Sequence, residues 1–377
     1  MSAYLDNSAT TKVCPQAAEK AAFMMTACFG NPSSLHSLGF AAERELTAAR
    51  ASVATLLKAD PACVTFTSGG TEANNLAILG AANAKKRRGN HVVTTAIEHP
   101  SVLEAFARLE ADGFEVTRVM PQKDGTIDPR DLLAACRPDT VLVSAMAVNN
   151  ETGAVFSWDA VAPAVRRKSP LAALHCDCVQ AAGKCALSFD KMGVDLCSVS
   201  GHKLHAPKGV GALFMKKGVR LIPPAALGGG QEKGVRSGTE NMPAIAAFGE
   251  AVKALPTPAE QAKHYEALRA FLLSELADID DVVVHTPRNA VSYITHLSLL
   301  GRKSETLVHA LAEQEVFVSG GSACAKGKKS HVLQAMELPA AEIDSSLRLS
   351  FSHETTEDDI RAFCNALRTA RDTLAHV

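Results

Sequence analysis

Short apolar runs alternate with stretches of helical periodicity through the first two-thirds of the chain. Val64–Thr67 predicts a short strand and residues 72–84 a helix. Residues 91–96 predict a second strand and 101–112 a second helix. From 141 to 148 the run is almost unbroken and apolar, the pattern of a strand buried on both faces. Residues 171–176 and 194–200 predict further strands, and Gly211–Met215 one that pairs back beside Ser200. This alternation predicts an α/β domain built on a mostly parallel sheet. The two prolines of Leu255-Pro256-Thr257-Pro258 read as a boundary. Beyond it a helical pattern over 260–276 leads into short strands and a final helix over 356–376. The predicted division is a large domain, 14–257, and a smaller α+β domain made of 1–13 and 258–377.

Composition narrows the class. The chain has 377 residues, 47% hydrophobic and 21% charged, as in a globular enzyme rather than a disordered chain. A formal net charge of −1 gives no overall field to recruit nucleic acid or an anionic membrane. No run approaches the ~18 apolar residues of a membrane span. Met1 to Asp6 lacks a basic region followed by an apolar stretch, which argues against a signal peptide. Ten cysteines at irregular spacings, mostly in apolar surroundings, read as buried thiols in a reducing, cytoplasmic compartment.

The punctuation at the strand ends carries the chemistry. Ser68-Gly69-Gly70-Thr71 follows the first strand and Glu98-His99 the second. Asn149-Asn150-Glu151-Thr152-Gly153 follows the third, Asp177 to Gln180 the fourth, and Gly201-His202-Lys203 the fifth. In parallel α/β sheets the ligand crevice lies outside the carboxyl ends of the strands, so these groups are expected to converge. Gly70 and Thr71 open a helix whose N–H groups suit a phosphate, although such turns are also common plain connectors. Lys203, after a strand and between polar residues, suits imine chemistry. Asp177 suits the proton of a pyridine nitrogen. The alternating His175, Cys176, Asp177 and Cys178 also admit a metal reading, which the absence of Cys-x-x-Cys spacing disfavours. His99 is either a stacking and proton-handling group or a helix-entry residue before Pro100. The glycine-rich stretch 228–241 reads as a binding loop, and Arg348 as a carboxylate clamp or an ion pair. Cys324, between glycines and three following lysines, is written as a mobile nucleophilic thiol.

Together these segments resemble the cysteine desulfurases, in the class V aminotransferase-like group of fold-type I pyridoxal-phosphate enzymes. The resemblance runs through Tyr4 to Thr11, Asn31 to His36, Phe66 to Glu72, Asn149 to Gly153, Ser200 to Lys203, Arg236 to Asn241 and Gly321 to Cys324. It implies that Lys203 carries the pyridoxal 5′-phosphate, that Asp177 pairs the ring nitrogen, that His99 stacks on the ring and that Gln180 meets its oxygen. Gly70, Thr71, Ser200 and His202 would hold the phosphate, with Thr239 reaching the phosphate of a neighbouring subunit in a homodimer. Asn150 and Arg348 would bind the carboxylate of L-cysteine. Cys324 would take the sulfur as a persulfide and pass it to an acceptor protein for iron–sulfur cluster assembly or for tRNA or cofactor thiolation. No resident metal, nucleic acid or membrane is implied. A selenocysteine lyase or an aminotransferase on the same scaffold is the competing reading, with a zinc protein built on His175, Cys176 and Cys178 a more distant one. Two departures stand out: Ala206 replaces a glycine frequent in the family, and the lysines at 326, 328 and 329 suggest an acidic acceptor or a tRNA-thiolation enzyme.

Overall fold

A computed structural model describes residues 2–223, 228–320 and 329–376. After a two-residue strand β1 (Ala3–Tyr4) the central sheet is formed by β2 (Val64–Thr67), β3 (His91–Thr95), β4 (Glu115–Val119), β5 (Thr140–Ser144), β6 (Ala173–Asp177), β7 (Leu196–Ser200) and β8 (Gly211–Met215). Its order is β2-β8-β7-β6-β5-β3-β4. Strands β3 to β7 run parallel, and β8 is antiparallel to both its neighbours, with Ser200 opposite Gly211. Every residue of β3, β5, β6 and β7 is buried, which explains their unbroken apolar character. The edge strand β4 escapes a hydrophobicity reading because Glu115 and Arg118 face outward.

The expected strand over 141–148 is shorter: regular pairing ends at Ser144. The following residues turn to meet a second partner. Phe156 N donates to Ala147 O at 2.9 Å and Trp158 Nε1 to Ala145 O at 2.9 Å. The final helix stops at Thr373, where Leu374 is extended, three residues before the predicted end.

The second sheet is antiparallel and smaller. It orders β12 (Ser319–Gly320), β13 (Ser346–Ser350), β10 (Ile294–Leu299) and β9 (Val282–Val284), while β11 (Val316–Phe317) pairs in parallel with β1. The long helices Pro258–Leu276 and Glu357–Thr373 pack on one another, each opened by a capping box.

Helices α3 (Gly70–Lys85) and α4 (Pro100–Ala111) bear on the site, while α1 (Pro15–Thr26) and α2 (Ser37–Ala54) pack against the helix Met242–Ala254. A Cβ on Gly211 would stand 2.6 Å from Val199 O and 2.7 Å from Gly69 Cα. Only glycine there lets β8 pass the turn that opens α3. Among the described residues no helix is long and apolar enough to cross a membrane.

Candidate active site

The carboxyl ends of β2, β3, β6 and β7 meet the N-terminal segment and β13 around a cavity of about 280 Å³. Its lining includes Gly70, Thr71, His99, Asn150, Asp177, Gln180, Ser200, His202, Lys203 and Arg348. Ten of the twelve residues singled out in the sequence thus converge. Thr239 is exposed and does not line this cavity. Cys324 lies outside the described residues, as do Lys326 and Lys328.

Backbone geometry sets the anion end. Gly70 begins α3, and a Cβ there would lie 2.8 Å from Val179 Cγ2, so the helix start is pressed against the turn after β6. The unpaired N–H groups of the first turn face the cavity beside Ser200. Glu72 stays in that turn by accepting from Ser68 N at 2.6 Å and Arg236 Nε at 3.0 Å. Burial opposes its charge, but the Ser68 and Arg236 bonds prevail and hold its carboxyl below the usual value.

Lys203 Nζ reaches the carbonyls of Ser8 and Ala9. Gln180 Nε2 also donates to Ser8 O, at 3.0 Å. The N-terminal segment is itself pinned, by Ser8 N to Ser350 Oγ at 2.7 Å and Thr11 N to His202 O at 2.9 Å. Burial pushes the His202 imidazole down to about 4, helped by Lys203 and Lys208. The Ala206 departure costs no backbone strain: the left-handed residues of this turn are His205, at φ 58°, and Gly209, at φ 82°.

Asp177 ends β6. Its Oδ1 accepts from Val179 N at 2.9 Å and its Oδ2 from Asn74 Nδ2 at 2.8 Å. His99 caps a helix and also borders the cavity. It is the N-cap of α4, accepting from Ser101 N at 3.1 Å with Pro100 at the first helical position, and it lines the cavity. Burial lowers its pKa, with Lys203 and His331 adding to the effect and Asp177 opposing it.

Arg348 is 3% exposed, so it is no surface ion pair. Its Nη1 donates to Asn150 O at 3.0 Å, and Nη2 to Asp6 Oδ1 at 2.8 Å and Ser319 Oγ at 3.0 Å. Among the described residues its buried Nε has no partner. Ser319 and Gly320 lead into 321–328; on the far side Ser330 Oγ donates to Glu151 Oε2 and His331 Nε2 to Glu98 O at 2.9 Å. Both ends of the stretch holding Cys324 are therefore tied to the cavity's rim. Lys329 pairs with Asp344 at 2.8 Å.

The metal reading meets a different use of its residues. His175 bonds Ser144 Oγ at 2.8 Å and Ser198 Oγ at 3.0 Å, while Cys176 and Cys178 are sealed in the core. Among the described residues no group of three His, Cys, Asp or Glu side chains is placed to hold a metal ion. Sequence reasoning missed Asn74, Ser101 and Asp6. The one signal for Asn74 was an Asn-Asn pair, with Asn75, inside an alanine-rich helix, where asparagine is a poor helix former.

A family model described as Aminotransferase class-V matches residues 3–363. The chain is 42% identical over 371 residues to the NifS/IcsS protein homolog of Lactobacillus delbrueckii subsp. bulgaricus, covering 96% of this chain and 95% of that protein. It is 40% identical over 369 residues to Cysteine desulfurase IscS of Proteus mirabilis, covering 95% and 89%. A solved NifS-like protein superposes with a TM-score of 0.92 at 33% identity, over 99% of this chain and all of the other. The structure described as SspA in complex with cysteine gives a TM-score of 0.82 at 32% identity, over 92% and 98%.

Proposed function

From a chain that belongs to the class-V aminotransferase family, and within it to the pyridoxal-phosphate-dependent cysteine desulfurases, we propose the following division of labour. Lys203, Asp177, His99 and Gln180 hold the cofactor ring, and Gly70, Thr71, Ser200 and His202 its phosphate. Asn150 and Arg348 seat the carboxylate of L-cysteine, and Cys324 receives the sulfur.

The cavity's donor set fits the cofactor. It pairs a helix N-terminus at one end with a carboxylate on two neutral donors at the other, and among the described residues the buried Gln180 Oε1 has no partner. When bound, pyridoxal phosphate supplies an aldehyde and a ring that stabilises negative charge at the amino acid's α-carbon. Asp177 holds the proton of the ring nitrogen. Lys203 takes and returns the substrate's α-proton. Arg348 offers the carboxylate the cavity-facing part of its guanidinium, whose plane Asp6, Ser319 and Asn150 hold. The Cys324 thiolate bonds to the substrate sulfur as the substrate's carbon–sulfur bond breaks. L-alanine leaves and the sulfur stays as a persulfide.

The single observation that carries Cys324 is the anchoring of both ends of its segment: Ser319 to Arg348 and Asp6, Ser330 to Glu151 beside Asn150. The acceptor is a protein of iron–sulfur cluster assembly or of tRNA or cofactor thiolation. Lys326 and Lys328 favour an acidic docking face, Lys329 being engaged by Asp344. The active unit is a homodimer. Phe23, Phe29, Leu35 and Phe40 on and around α1 and α2 are exposed, and Thr239 is exposed outside its own cavity, free to complete a partner's site. The units 14–257 and 1–13 with 258–377 act as large and small domains. Nine described cysteines, all unbridged, suit a reducing cytoplasm.

The test is to assay sulfide and alanine from L-cysteine and a reductant, with wild type and Cys324→Ala side by side. Equimolar products from wild type and little from the variant support persulfide transfer through Cys324. Undiminished turnover in the variant removes it.

A further inference from the structure

Asn74 sits in the second turn of α3, 1% exposed. Its amide nitrogen donates twice, to Asp177 Oδ2 at 2.8 Å and to Ser101 Oγ at 2.9 Å. Ser101 Oγ lies 2.8 Å from His99 Nδ1, and the Ser101 backbone N–H points at the same nitrogen from 3.1 Å.

One placement of protons satisfies this chain. The Ser101 backbone N–H donates to His99 Nδ1, so Nδ1 is an acceptor, and Ser101 Oγ, which accepts from Asn74, turns its own proton to the same nitrogen. Because Nδ1 accepts, the neutral ring carries its proton on Nε2. Turning the Asn74 amide over would set two acceptors, Oδ1 and Asp177 Oδ2, against each other at 2.8 Å. In the orientation that avoids this, the buried Oδ1 has no partner among the described residues. A helix interior that carries both a poor helix former and an orphaned carbonyl is using the amide for its two N–H groups.

We propose that Asn74 is a positioning residue for the cofactor: one amide fixes the Asp177 carboxylate and orients the Ser101 hydroxyl that joins the backbone cap on His99 Nδ1. Helix α3 then serves the cofactor twice, at Gly70 and Thr71 for the phosphate and one turn later for the ring's two protein partners. This rests on the assignment of Asp177 and His99 to the ring.

The experiment compares wild type, Asn74→Ala, Ser101→Ala and Asp177→Asn. The readouts are pyridoxal-phosphate affinity of the cofactor-stripped protein, the pH midpoint of the visible absorbance after reconstitution, and the ¹⁵N shifts of His99 without cofactor. Asn74→Ala is expected to weaken cofactor binding by about tenfold to a hundredfold, the loss of one charge-assisted hydrogen bond. It should also move the absorbance midpoint in the same direction as Asp177→Asn, by less. Ser101→Ala should leave the midpoint in place and shift the His99 Nδ1 resonance through loss of the hydroxyl bond, with the backbone N–H still holding the tautomer. A normal midpoint and unchanged His99 shifts in Asn74→Ala, alongside a shifted midpoint in Asp177→Asn, overturn the proposal. No shift in Asp177→Asn overturns instead the assignment on which it rests. Should Asn74→Ala not fold, Asn74→Ser keeps one donor and carries the same test: a smaller midpoint shift supports the proposal and none overturns it.

Discussion

Glu98→Gln should stabilise the protein at neutral pH and do little in acid. Glu98 is fully buried before His99, and burial pushes its carboxyl up to about 8 from the ordinary 4.5, with Asp177 adding to the rise and the bonds from Thr95 and Met146 opposing it. The folded protein thus keeps a proton that the unfolded chain gives up above about pH 4.5. With folded pKa above unfolded pKa, stability is greatest below about 4.5 and falls as pH rises, levelling off beyond about 8. At about 1.4 kcal/mol per pH unit the penalty reaches roughly 3 kcal/mol at pH 7 and stays under about 1 kcal/mol at pH 5. Glutamine fits the same bonds. Glu98 Oε1 accepts from Thr95 Oγ1 at 2.7 Å and Met146 N at 3.0 Å, while Oε2 has no partner, so the amide oxygen inherits both donors and the NH₂ takes the orphaned position. Urea unfolding of both cofactor-saturated proteins across this range reads the difference directly. Histidines that oppose this slope are common to both proteins and cancel. Parallel stability–pH curves, or a Gln variant equally weakened at both ends, would refute a buried neutral carboxyl at position 98.

Gly211→Ala should cost stability at the upper end of the ~1–3 kcal/mol of an overpacked core, because the new methyl meets backbone at 2.6 and 2.7 Å on both sides; urea midpoints measure it. Arg348→Lys loses the fork that Asn150, Asp6 and Ser319 hold, and should raise KM for L-cysteine by roughly tenfold or more with the cofactor's absorbance unchanged. An unaltered KM would separate Arg348 from the substrate. Lys203→Ala should lose the yellow absorbance of the lysine-bound cofactor, and a variant that keeps the band would mean that another amine carries it.

The residues legible in the sequence were those whose chemistry restricts their type. An imine needs a lysine, a pyridinium partner needs a carboxylate, a phosphate turn needs glycine; Lys203, Asp177 and Gly70 stood at strand ends where a parallel sheet gathers its ligands, and the cavity holds all three. What stayed hidden was of two kinds. Backbone groups have no residue type, so nothing marked the carbonyls of Ser8 and Ala9 as partners of Lys203. Partners brought together by tertiary packing leave no spacing to read: Asn74 meets Asp177 across 103 positions and Ser101 across 27. The same limit explains His99. Helix entry and cofactor contact looked like rival readings because a sequence shows one neighbour at a time. In the fold the capping bond is what presents the ring: Nδ1 is occupied by Ser101 at the start of α4, so the imidazole is held against the cavity in a single tautomer. A residue assigned to structure by its local pattern can therefore be placed for chemistry by that very pattern, and the two assignments should be weighed together wherever a cap closes on a ligand crevice.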